Sequence, residues 1–394
     1  MERIKLHADA VRPVAQGHPW VYADGTRDRL PPGTPVQLVD PKGQPVGFGL
    51  ADDGDIAVRV LGRHPLPLPE LLMRRIGHAA ACRPAMLPAD TDAYRVLNGE
   101  GDGLPGLVVD RYGPLLVVRL YGACWEPWLD DIVAALLSAF PGASVLRRLG
   151  VRRVDGSEGA VHLAGPVLPE PLVVRECGLR FLARPSTGQK TGLFLDQREH
   201  RALIGRVARG ADMVNLFGYT GGFTVHAVAG GARRVLTVDV SADALADAAE
   251  NLRLNGFDPG GHGFEAVDAF PWIQERARRG PPLDLVVCDP PNLSHGRDSD
   301  GAARRAYRDL NEAAARIVRP GGLLATSSCT ARLAADRWEA EVREGLRRVG
   351  RWSWLWRSAE PPDHPVGLQH PEGRYLKFAL LRRAEADFPG AGAA

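Results

Sequence analysis

The segment ADMVNLFGYTGGF at residues 211–223 sets the architecture of the C-terminal part of the chain, because an apolar run passes through a glycine-rich turn into a helix. Such a turn lets a ligand approach the backbone and points helix N–H groups at it. Twenty-one residues after Gly218, the next apolar run ends in Asp239, where a carboxylate can accept both hydroxyls of a ribose. Together the two features predict a site for a nucleotide-like ligand.

Strand and helix patterns alternate from about residue 186 onward. The β-like runs are ADMVNLF, RRVLTVDV, FEAVDAF, LDLVVCD and GLLATSSC. The clearest helix is SADALADAAENLRLNG, which Ser241 can cap and Gly256 can end, with Leu245 and Leu252 on its apolar stripe. Repeated βα units predict a Rossmann-like α/β domain over residues 186–384, with a mostly parallel sheet and ligands at the carboxyl ends of its strands.

The rest of the chain divides by composition. Residues 1–68 contain short apolar runs between turn signals such as PPGTP and DPKGQP, which predict a small all-β domain. Residues 69–185 combine the helical patterns ELLMRRIGHAAACR and WLDDIVAALLSAF with β-rich runs, which predicts an α+β middle domain. Residues 385–394 are predicted to form a flexible tail.

Composition excludes several classes of protein. The chain has 394 residues, of which 45% are hydrophobic and 24% charged, so wholesale disorder is excluded. No apolar run approaches the ~18 residues of a membrane span, and the N-terminus lacks the apolar region of a secretion signal. The five cysteines are scattered without a CxxC pair, which argues against disulfides and zinc. We therefore expect a soluble cytoplasmic protein with no membrane association and no metal.

The basic residues are informative by type. Only four of the 49 lysines and arginines are lysines, at positions 5, 42, 190 and 377. A coding bias that replaces lysine by arginine wherever either serves accounts for most of this. The retained lysines are therefore candidates for specific roles, and Lys190 and Lys377 fall inside distinctive sequence motifs. The formal net charge of +2 says little about nucleic-acid binding, which a local basic face can support.

The glycine turn narrows the class of ligand. The dinucleotide fingerprint G-x-G-x-x-G is not met, because Tyr219 is followed by Thr220. A looser turn suits an adenosyl ligand without a pyrophosphate, such as S-adenosylmethionine (SAM). A tight turn with a helix-capping acid is the alternative. Asp268, at the end of the third strand, is placed either to bind the adenine amino group or to cap the next helix.

The fourth strand runs directly into Asp289-Pro290-Pro291-Asn292. Two prolines cannot continue a central strand, so the chain leaves the sheet there and holds Asp289 at the carboxyl edge in a stiff turn. An acid-Pro-Pro turn is suited to holding a planar nitrogen heterocycle or an amine beside a methyl donor. In amine-methylating versions an aromatic residue usually follows the prolines, so Asn292 counts against methylation of an exocyclic amine.

The fifth strand ends at Cys329, which we expect near Asp289 because neighbouring parallel strands bring their carboxyl ends together. A thiol beside a base-binding acid suggests covalent catalysis. Methylation at carbon 5 of a pyrimidine needs such a thiol, because that carbon becomes nucleophilic only after a thiolate adds to carbon 6. The alternative for Cys329 is a small buried hydrophobe. Cys288 points opposite to Asp289 along its strand and is predicted to lie in the core.

The motifs and their order along the chain resemble those of the PUA-containing, SAM-dependent 23S rRNA cytosine-5 methyltransferases of bacteria. The resemblance covers nearly the whole chain. The most specific block is GQKTGLFLDQREHR at 188–201. The other matching motifs are NLFGYTGGF, VDVSADALADAAENLRLNG, DPPNLSHG, the SSC at 327–329 and DHPVGLQHPEGRYLKFALL. The resemblance implies an RNA-binding PUA barrel around HPWVYADGT, a middle α+β domain and a class I methyltransferase domain.

The resemblance also implies roles for individual residues. Cys329 would be the nucleophile and Asp289 the acid that holds the base. SAM would be bound by Phe217, Tyr219, Thr220, Gly221, Asp239, Asp268 and Pro290. The substrate, 23S rRNA or a precursor of the large ribosomal subunit, would be bound by Lys190, Arg198, Pro291 and Asn292. Together with Asp196 and Gln197, Lys190 and Arg198 would close over cofactor and substrate; for these two basic residues a surface ion pair is the alternative.

The sequence departs from many RNA cytosine-5 enzymes in one respect, since Asn292 stands where a second cysteine helps to expel the product. The resemblance includes such one-cysteine sites, and the acceptor of the C5 proton is left unassigned. Two alternatives stay open: methylation of guanine N7 or N2, and an inactive RNA-binding assembly protein. The absence of the dinucleotide fingerprint G-x-G-x-x-G argues against a nicotinamide dehydrogenase. The modified nucleotide, the assembly state of the rRNA and the formation of a homodimer are also left open.

Overall fold

A computed structural model describes residues 1–150, 152–156, 158–188, 193–293 and 300–385. The chain forms two compact units. The first comprises Met1–Gly178, Ala183–Leu195 and Pro362–Gly373, and the second comprises Leu179–Leu182, Asp196–Pro361 and the chain from Arg374 onward. A segment late in the sequence thus belongs to the first unit, which linear domain boundaries do not express. The predicted tail lies, from residue 386 on, outside the described residues.

The first unit begins with a five-stranded sheet. Its elements are β1 (Glu2–Lys5), α1 (Ala8–Ala15), β2 (Trp20–Tyr22), β3 (Pro35–Val39), β4 (Pro45–Ala51) and β5 (Ile56–Gly62). The strand order is β1-β3-β4-β5-β2. The apolar core of this sheet includes Ile4, Val36, Leu38 and Val58. The all-β prediction missed α1, a short helix that contains Pro13 and buries only Val14.

The middle of the chain forms a second sheet with helices, the α+β pattern that the sequence predicted. Its elements are α2 (Leu68–Cys82), β6 (Ala93–Asn98), β7 (Leu107–Tyr112), β8 (Leu115–Leu120), α3 (Leu129–Ala139), β9 (Ser144–Leu149), α4 (Arg152–Asp155) and β10 (Gly159–Ala164). Two further strands follow, β11 (Leu172–Glu176) and β12 (Leu179–Ala183). The sheet has the order β10-β9-β8-β7-β6. Leu72 and Ile76 of α2 and Ile132 of α3 are fully buried in one core with its strands.

The second unit is the predicted α/β domain. Its elements are α5 (Arg198–Val207), β13 (Asp212–Leu216), α6 (Gly222–Ala229), β14 (Arg234–Asp239), α7 (Ala242–Leu254), β15 (Gly263–Ala266), α8 (Ala269–Arg279), β16 (Leu283–Cys288), α9 (Asp300–Arg316), β17 (Val318–Ser328), α10 (Ala335–Arg347), β18 (Trp352–Ser358) and β19 (Lys377–Arg383). The strand order is β15-β14-β13-β16-β17-β19-β18. In the described part of the chain, no helix is long and apolar enough to cross a membrane.

The sheet topology fixes where a ligand can bind. Strands β15, β14, β13, β16 and β17 are parallel, and β19 returns antiparallel to β17. The chain builds outward from β13 to β15 on one side and then resumes at β16 on the other. Crevices at such a reversal, beyond the carboxyl ends of the strands, are where open α/β sheets bind ligands. The loops after β13, β14, β16 and β17 are therefore the ones that can form a site.

A buried ion pair anchors the first unit. Arg59 Nε donates to Asp52 Oδ2 at 2.6 Å, and both side chains are at most 2% exposed. Arg59 also donates to the Tyr121 carbonyl oxygen at 2.8 Å, and Asp52 Oδ1 accepts from the Cys124 backbone N–H at 3.1 Å. The pair thus ties the N-terminal sheet to the segment that follows β8.

Asp52→Ala is expected to destabilise the protein by about 3 kcal/mol, because the buried Arg59 guanidinium then keeps only the longer ion pair of its Nη1 with Glu100 Oε1, at 3.5 Å. Chemical denaturation with a probe of the first unit measures the change. Arg175→Ala, which removes the exposed partner of Asp92 within the same unit, is the matched control and should cost less than about 1 kcal/mol. Equal losses for the two variants would contradict the assignment of the Asp52 pair as a structural anchor.

Candidate active site

The loop between β13 and α6 has an unusual backbone. Phe217, Tyr219 and Gly221 all have positive φ angles, of 57°, 46° and 75°. Only glycine adopts this region readily, so the first two residues are held there at a local energetic cost. The result is a tight turn that presents backbone atoms to the crevice beside β13.

Asp239, the last residue of β14, holds this turn in place. Its Oδ2 accepts the Tyr219 N–H and its Oδ1 accepts the Ser241 N–H, both at 2.9 Å. Ser241 in turn caps α7, as the sequence predicted, by accepting the Ala244 N–H at 3.2 Å. Each carboxylate oxygen has a second lone pair, so Asp239 can still accept the hydroxyls of a ribose.

Two further contacts explain the glycines and the placement of Thr220. The Thr220 carbonyl oxygen accepts from Asn251 Nδ2 at 2.8 Å, and the fully buried Asn251 also accepts the Leu182 N–H at 2.7 Å. A Cβ at Gly218 would collide with Thr237, and one at Gly221 would lie 2.7 Å from the Ala248 Cβ. Sequence reasoning missed Asn251, because a polar residue on a helix is ordinarily solvated.

Asp268 caps the following helix, which is one of its two predicted roles. Its Oδ1 accepts the Phe270 N–H at 2.9 Å at the start of α8. The side chain is exposed, and the nearby rings of Phe217 and Phe270 meet edge to face with centroids 5.1 Å apart. A contact between Asp268 and adenine stays a prediction.

Asp289 stands at the carboxyl edge directly after β16. Its Oδ1 accepts from Gln197 Nε2 at 3.0 Å and from Ser327 Oγ in a short hydrogen bond. Asp289 is half-buried and Pro290 is buried, so the carboxylate is held rigidly at the rim of the sheet. Pro291 and Asn292 are exposed beyond it.

Strand register aligns the ends of β16 and β17, the strands that precede Asp289 and Cys329. Cys288 of β16 pairs with Thr326 of β17, so Asp289 lies opposite Ser327. Cys329 follows Ser327 by two residues, just beyond the end of β17, and its closeness to Asp289 stays a prediction. It is half-buried and thus accessible. Cys288, by contrast, is fully buried in the apolar core, and burial raises its pKa well above the ordinary value.

A chain of hydrogen bonds runs from Asp289 through Gln197 and His200 to Ser358. His200 Nδ1 lies 2.5 Å from Gln197 Oε1, and its Nε2 lies 2.8 Å from Ser358 Oγ. Burial lowers the pKa of His200 to about 3, so the ring is neutral at physiological pH. Because Gln197 donates to Asp289 through its amide nitrogen, its oxygen must accept, which assigns the His200 proton to Nδ1.

The segment that leads into α5 contains Lys190 and Asp196, and α5 begins at Arg198. Arg198 Nε lies 3.3 Å from Glu199 Oε1, so Arg198 forms an ion pair as the alternative expected, but its own side chain is buried and not at the surface. Asp196 accepts from the Tyr375 hydroxyl at 2.7 Å. Lys190 lies outside the described residues. Contacts of either basic residue with a substrate stay predictions.

Two buried groups beside Cys329 were not predicted. Ser328 Oγ donates to the Tyr307 hydroxyl at 2.9 Å, and burial raises the pKa of Tyr307 to about 12. Lys377, at the start of β19, is paired in register with Ser328. For Tyr307 the sequence held no signal, since a tyrosine on a helix is usually core, whereas the scarcity of lysine in this chain was a signal for Lys377.

Comparisons with known protein families agree with this geometry. Residues 137–369 match the family model of the S-adenosylmethionine-dependent methyltransferases, and residues 4–63 match a PUA-like domain. The first match spans more than half of the chain and includes every site residue that the sequence predicted.

Curated relatives match almost end to end. A protein of Deinococcus radiodurans named ribosomal RNA large subunit methyltransferase is 36% identical over 397 residues, which cover 96% of this chain and 97% of that protein. A protein of Shewanella amazonensis named ribosomal RNA large subunit methyltransferase I is 33% identical, and the match covers 96% of this chain and 99% of that protein.

Solved structures show the same fold. A SAM-dependent methyltransferase from Streptococcus mutans superposes with a TM-score of 0.86 at 23% identity, covering 97% of this chain and all of that chain. A second methyltransferase structure, solved in complex with S-adenosylhomocysteine (SAH), superposes with the same TM-score, identity and coverage.

Asp239→Ala is expected to weaken SAM binding about 10-fold or more, because hydrogen bonds to a charged carboxylate contribute roughly 1.5–3 kcal/mol and the turn loses its anchor. Isothermal titration calorimetry measures the affinity. Asp258→Ala is the matched control, since Asp258 also accepts a backbone N–H, from Gly260 at 2.9 Å, in a turn away from the crevice. Unchanged affinity in Asp239→Ala would remove this carboxylate from the site.

Proposed function

Since the chain belongs to the PUA-containing family of SAM-dependent methyltransferases that includes the large-subunit ribosomal RNA enzymes, we propose that it methylates carbon 5 of a cytosine in 23S rRNA through a covalent Cys329 adduct. The names of the relatives support large-subunit rRNA as the substrate. One observation supports the choice of carbon 5: Ser327, which hydrogen-bonds to Asp289, stands two residues before the half-buried Cys329 in the chain.

The residues around the crevice fit SAM, the cofactor of the family. The strained turn at Phe217, Tyr219 and Gly221 opens a path to the backbone at the start of α6, where N–H groups are available. Asp239 supplies carboxylate oxygens at the position of a ribose, and Pro290 lines the rim. When bound, the sulfonium of SAM supplies an electrophilic methyl group.

The proposed reaction starts at the sulfur of Cys329. Carbon 5 of cytosine is a poor nucleophile, so the thiolate first adds to carbon 6 and turns carbons 4 and 5 into an enamine. Asp289, in its protonated form, gives its proton to N3 as the thiolate adds and takes it back when the adduct breaks, and its orientation is fixed by Gln197 and Ser327. Carbon 5 then accepts the methyl group, its proton leaves to a base, and the C6–S bond breaks with its electron pair returning to sulfur.

The same site argues against the other acceptors. Guanine N7 and N2 are nucleophilic without prior addition of a thiolate, so their methylation gives no role to a half-buried cysteine at the end of β17. No aromatic residue stands at Asn292 to stack on a base whose amine is to be methylated. An inactive assembly protein would have no use for a positioned thiol. The cytosine-5 reaction gives a role to both Asp289 and Cys329.

The rRNA would be bound by both units in this proposal. The PUA-like sheet at residues 4–63 would supply affinity for RNA, and Lys190, Arg198, Pro291 and Asn292 would contact the target nucleotide and its neighbours. An enzyme that acts on 23S rRNA or on a precursor of the large subunit works in the cytoplasm, where the bacterial ribosome is assembled.

Cys329→Ala is expected to reduce methyl transfer to background while SAM binding persists, because the adduct can no longer form. Cys329→Ser should be similarly inactive, since an alcohol is far less ionised than a thiol near neutral pH. Transfer of tritiated methyl from SAM to rRNA measures activity, and calorimetry measures binding. Cys82→Ser, at a half-buried cysteine on α2, is the matched control and should stay active. Activity in Cys329→Ala would rule out the covalent route.

The modified base tests the acceptor directly. Mass spectrometry of 23S rRNA from cells with and without this protein should show one 5-methylcytosine that depends on it. Incubation of purified protein, SAM and rRNA from the deletion strain should restore that methyl group. A dependent methylguanine would establish the guanine N7 or N2 reaction instead, and rRNA identical in both strains, combined with no SAM affinity, would point to an inactive assembly protein.

A further inference from the structure

Lys377 lies beside the backbone of Cys329. Its Cα pairs with Ser328 across the β17–β19 register, and its Nζ donates a short hydrogen bond to the Thr330 carbonyl oxygen. Cys329 is the residue between these two contacts. Nζ also donates to the Tyr375 carbonyl oxygen at 3.1 Å, and the side chain is only 5% exposed. The amine is thus fixed at the rim where the proposed nucleophile stands.

The charge of this amine is poorly compensated. Within the described residues no carboxylate lies within 4 Å of Nζ, so its hydrogen bonds go to neutral carbonyls. Burial lowers the pKa of Lys377 to about 8, while the more distant Glu360 and the Cys329 thiolate raise it. Glu360 Oε1 already accepts the Tyr375 and Leu376 N–H groups at 2.6 and 2.8 Å.

The other titratable groups at this edge cannot take a proton from the thiol at neutral pH. His200 lies behind Phe378, with the two rings stacked at 4.0 Å, and burial keeps its pKa near 3. Tyr307 is a protonated phenol whose pKa is raised to about 12. Asp289 is engaged by Gln197 and Ser327. Lys377 is the group whose charge changes near physiological pH.

The residue type fits this role. In a chain with four lysines among 49 basic residues, arginine occupies nearly every position where a fixed positive charge suffices. Arginine stays protonated in proteins, whereas a buried lysine can release its proton and act as a base. The presence of lysine at 377, and not arginine, therefore matches a group that must exchange a proton.

We propose that Lys377 is a catalytic base that accepts the thiol proton of Cys329 and returns it when the adduct breaks. On attack the S–H bond breaks, an N–H bond forms on Nζ and the electron pair stays on sulfur for addition to carbon 6. On release sulfur recovers the C6–S electron pair and takes the proton back from the ammonium, while the C5 proton passes to water. The role of this proton transfer in catalysis rests on the proposed function. The coupling between the thiol and the amine can be measured without RNA or SAM.

The first test measures the ionisation of Cys329 directly. Alkylation of Cys329 by iodoacetamide is followed by peptide mass spectrometry from pH 6 to 10 in the wild type and in Lys377→Met. Loss of a neighbouring ammonium should raise the midpoint of the profile by ~1 pH unit or more. Lys42→Met, at an exposed lysine, is the matched control and should leave the midpoint unchanged. An unchanged midpoint in folded Lys377→Met overturns the proposal.

The second test needs no substitution at Lys377 and so does not depend on the folding of that variant. Because the chain has four lysines, labelling with ¹³Cε-lysine gives four NMR signals whose pH titrations can be separated. One should titrate near pH 8, and in Cys329→Ala its midpoint should move to lower pH, because the thiolate that supports the ammonium is gone. Identical titrations in the two proteins would overturn the coupling.

The two tests separate this inference from the proposed function. If the thiol and the amine are coupled but the protein modifies guanine, the Lys377 inference stands and the cytosine-5 proposal fails. If Cys329→Ala is inactive but Cys329 and Lys377 titrate independently, the cytosine-5 proposal stands and the Lys377 inference fails.

Discussion

The hydrogen bond from Ser327 Oγ to Asp289 Oδ1 is the contact on which the candidate site depends. It joins the ends of two neighbouring parallel strands, β16 and β17, and so holds Asp289 against the segment that leads to the proposed nucleophile. The contact is possible only in the register that pairs Cys288 with Thr326, since a shift by one residue would turn both side chains to opposite faces. The strand register thus brings Ser327 and Asp289 together, and their side chains form the hydrogen bond.

Burial shapes the electrostatics around this contact. For His200, Tyr307 and Lys377 the loss of hydration is the largest cause of the pKa shift, and in each case it favours the neutral form. The groups that surround the acid and the thiol therefore contribute oriented dipoles more than fixed charges. In such an environment a thiolate or a carboxylate interacts strongly with the few charges that are present.

Much of the α/β domain follows from the sequence. The βα alternation, the cap of Ser241 on α7 and the inward orientation of Cys288 are local properties, and the structure confirms them. The meeting of Asp289 with the end of β17, at Ser327, also followed, because neighbouring parallel strands align their carboxyl ends.

What the sequence could not predict depends on tertiary contacts between distant residues. Gln197 reaches Asp289 across 92 positions, and Lys377 donates to Thr330 across 47. No period or turn signal encodes such pairs. The helix α1 was missed for a different reason, since eight residues with an internal proline give too weak a pattern.

The positive φ angles of Phe217 and Tyr219 have a consequence for how this loop can vary among related chains. A β-branched residue at either position would be forced into a backbone region that its side chain strongly disfavours, whereas asparagine or glycine would relieve the strain. Substitution by glycine would also enlarge the unfolded ensemble and remove an aromatic ring from the crevice. Neutral drift at these two positions is therefore confined to a small set of side chains, even though neither is a glycine.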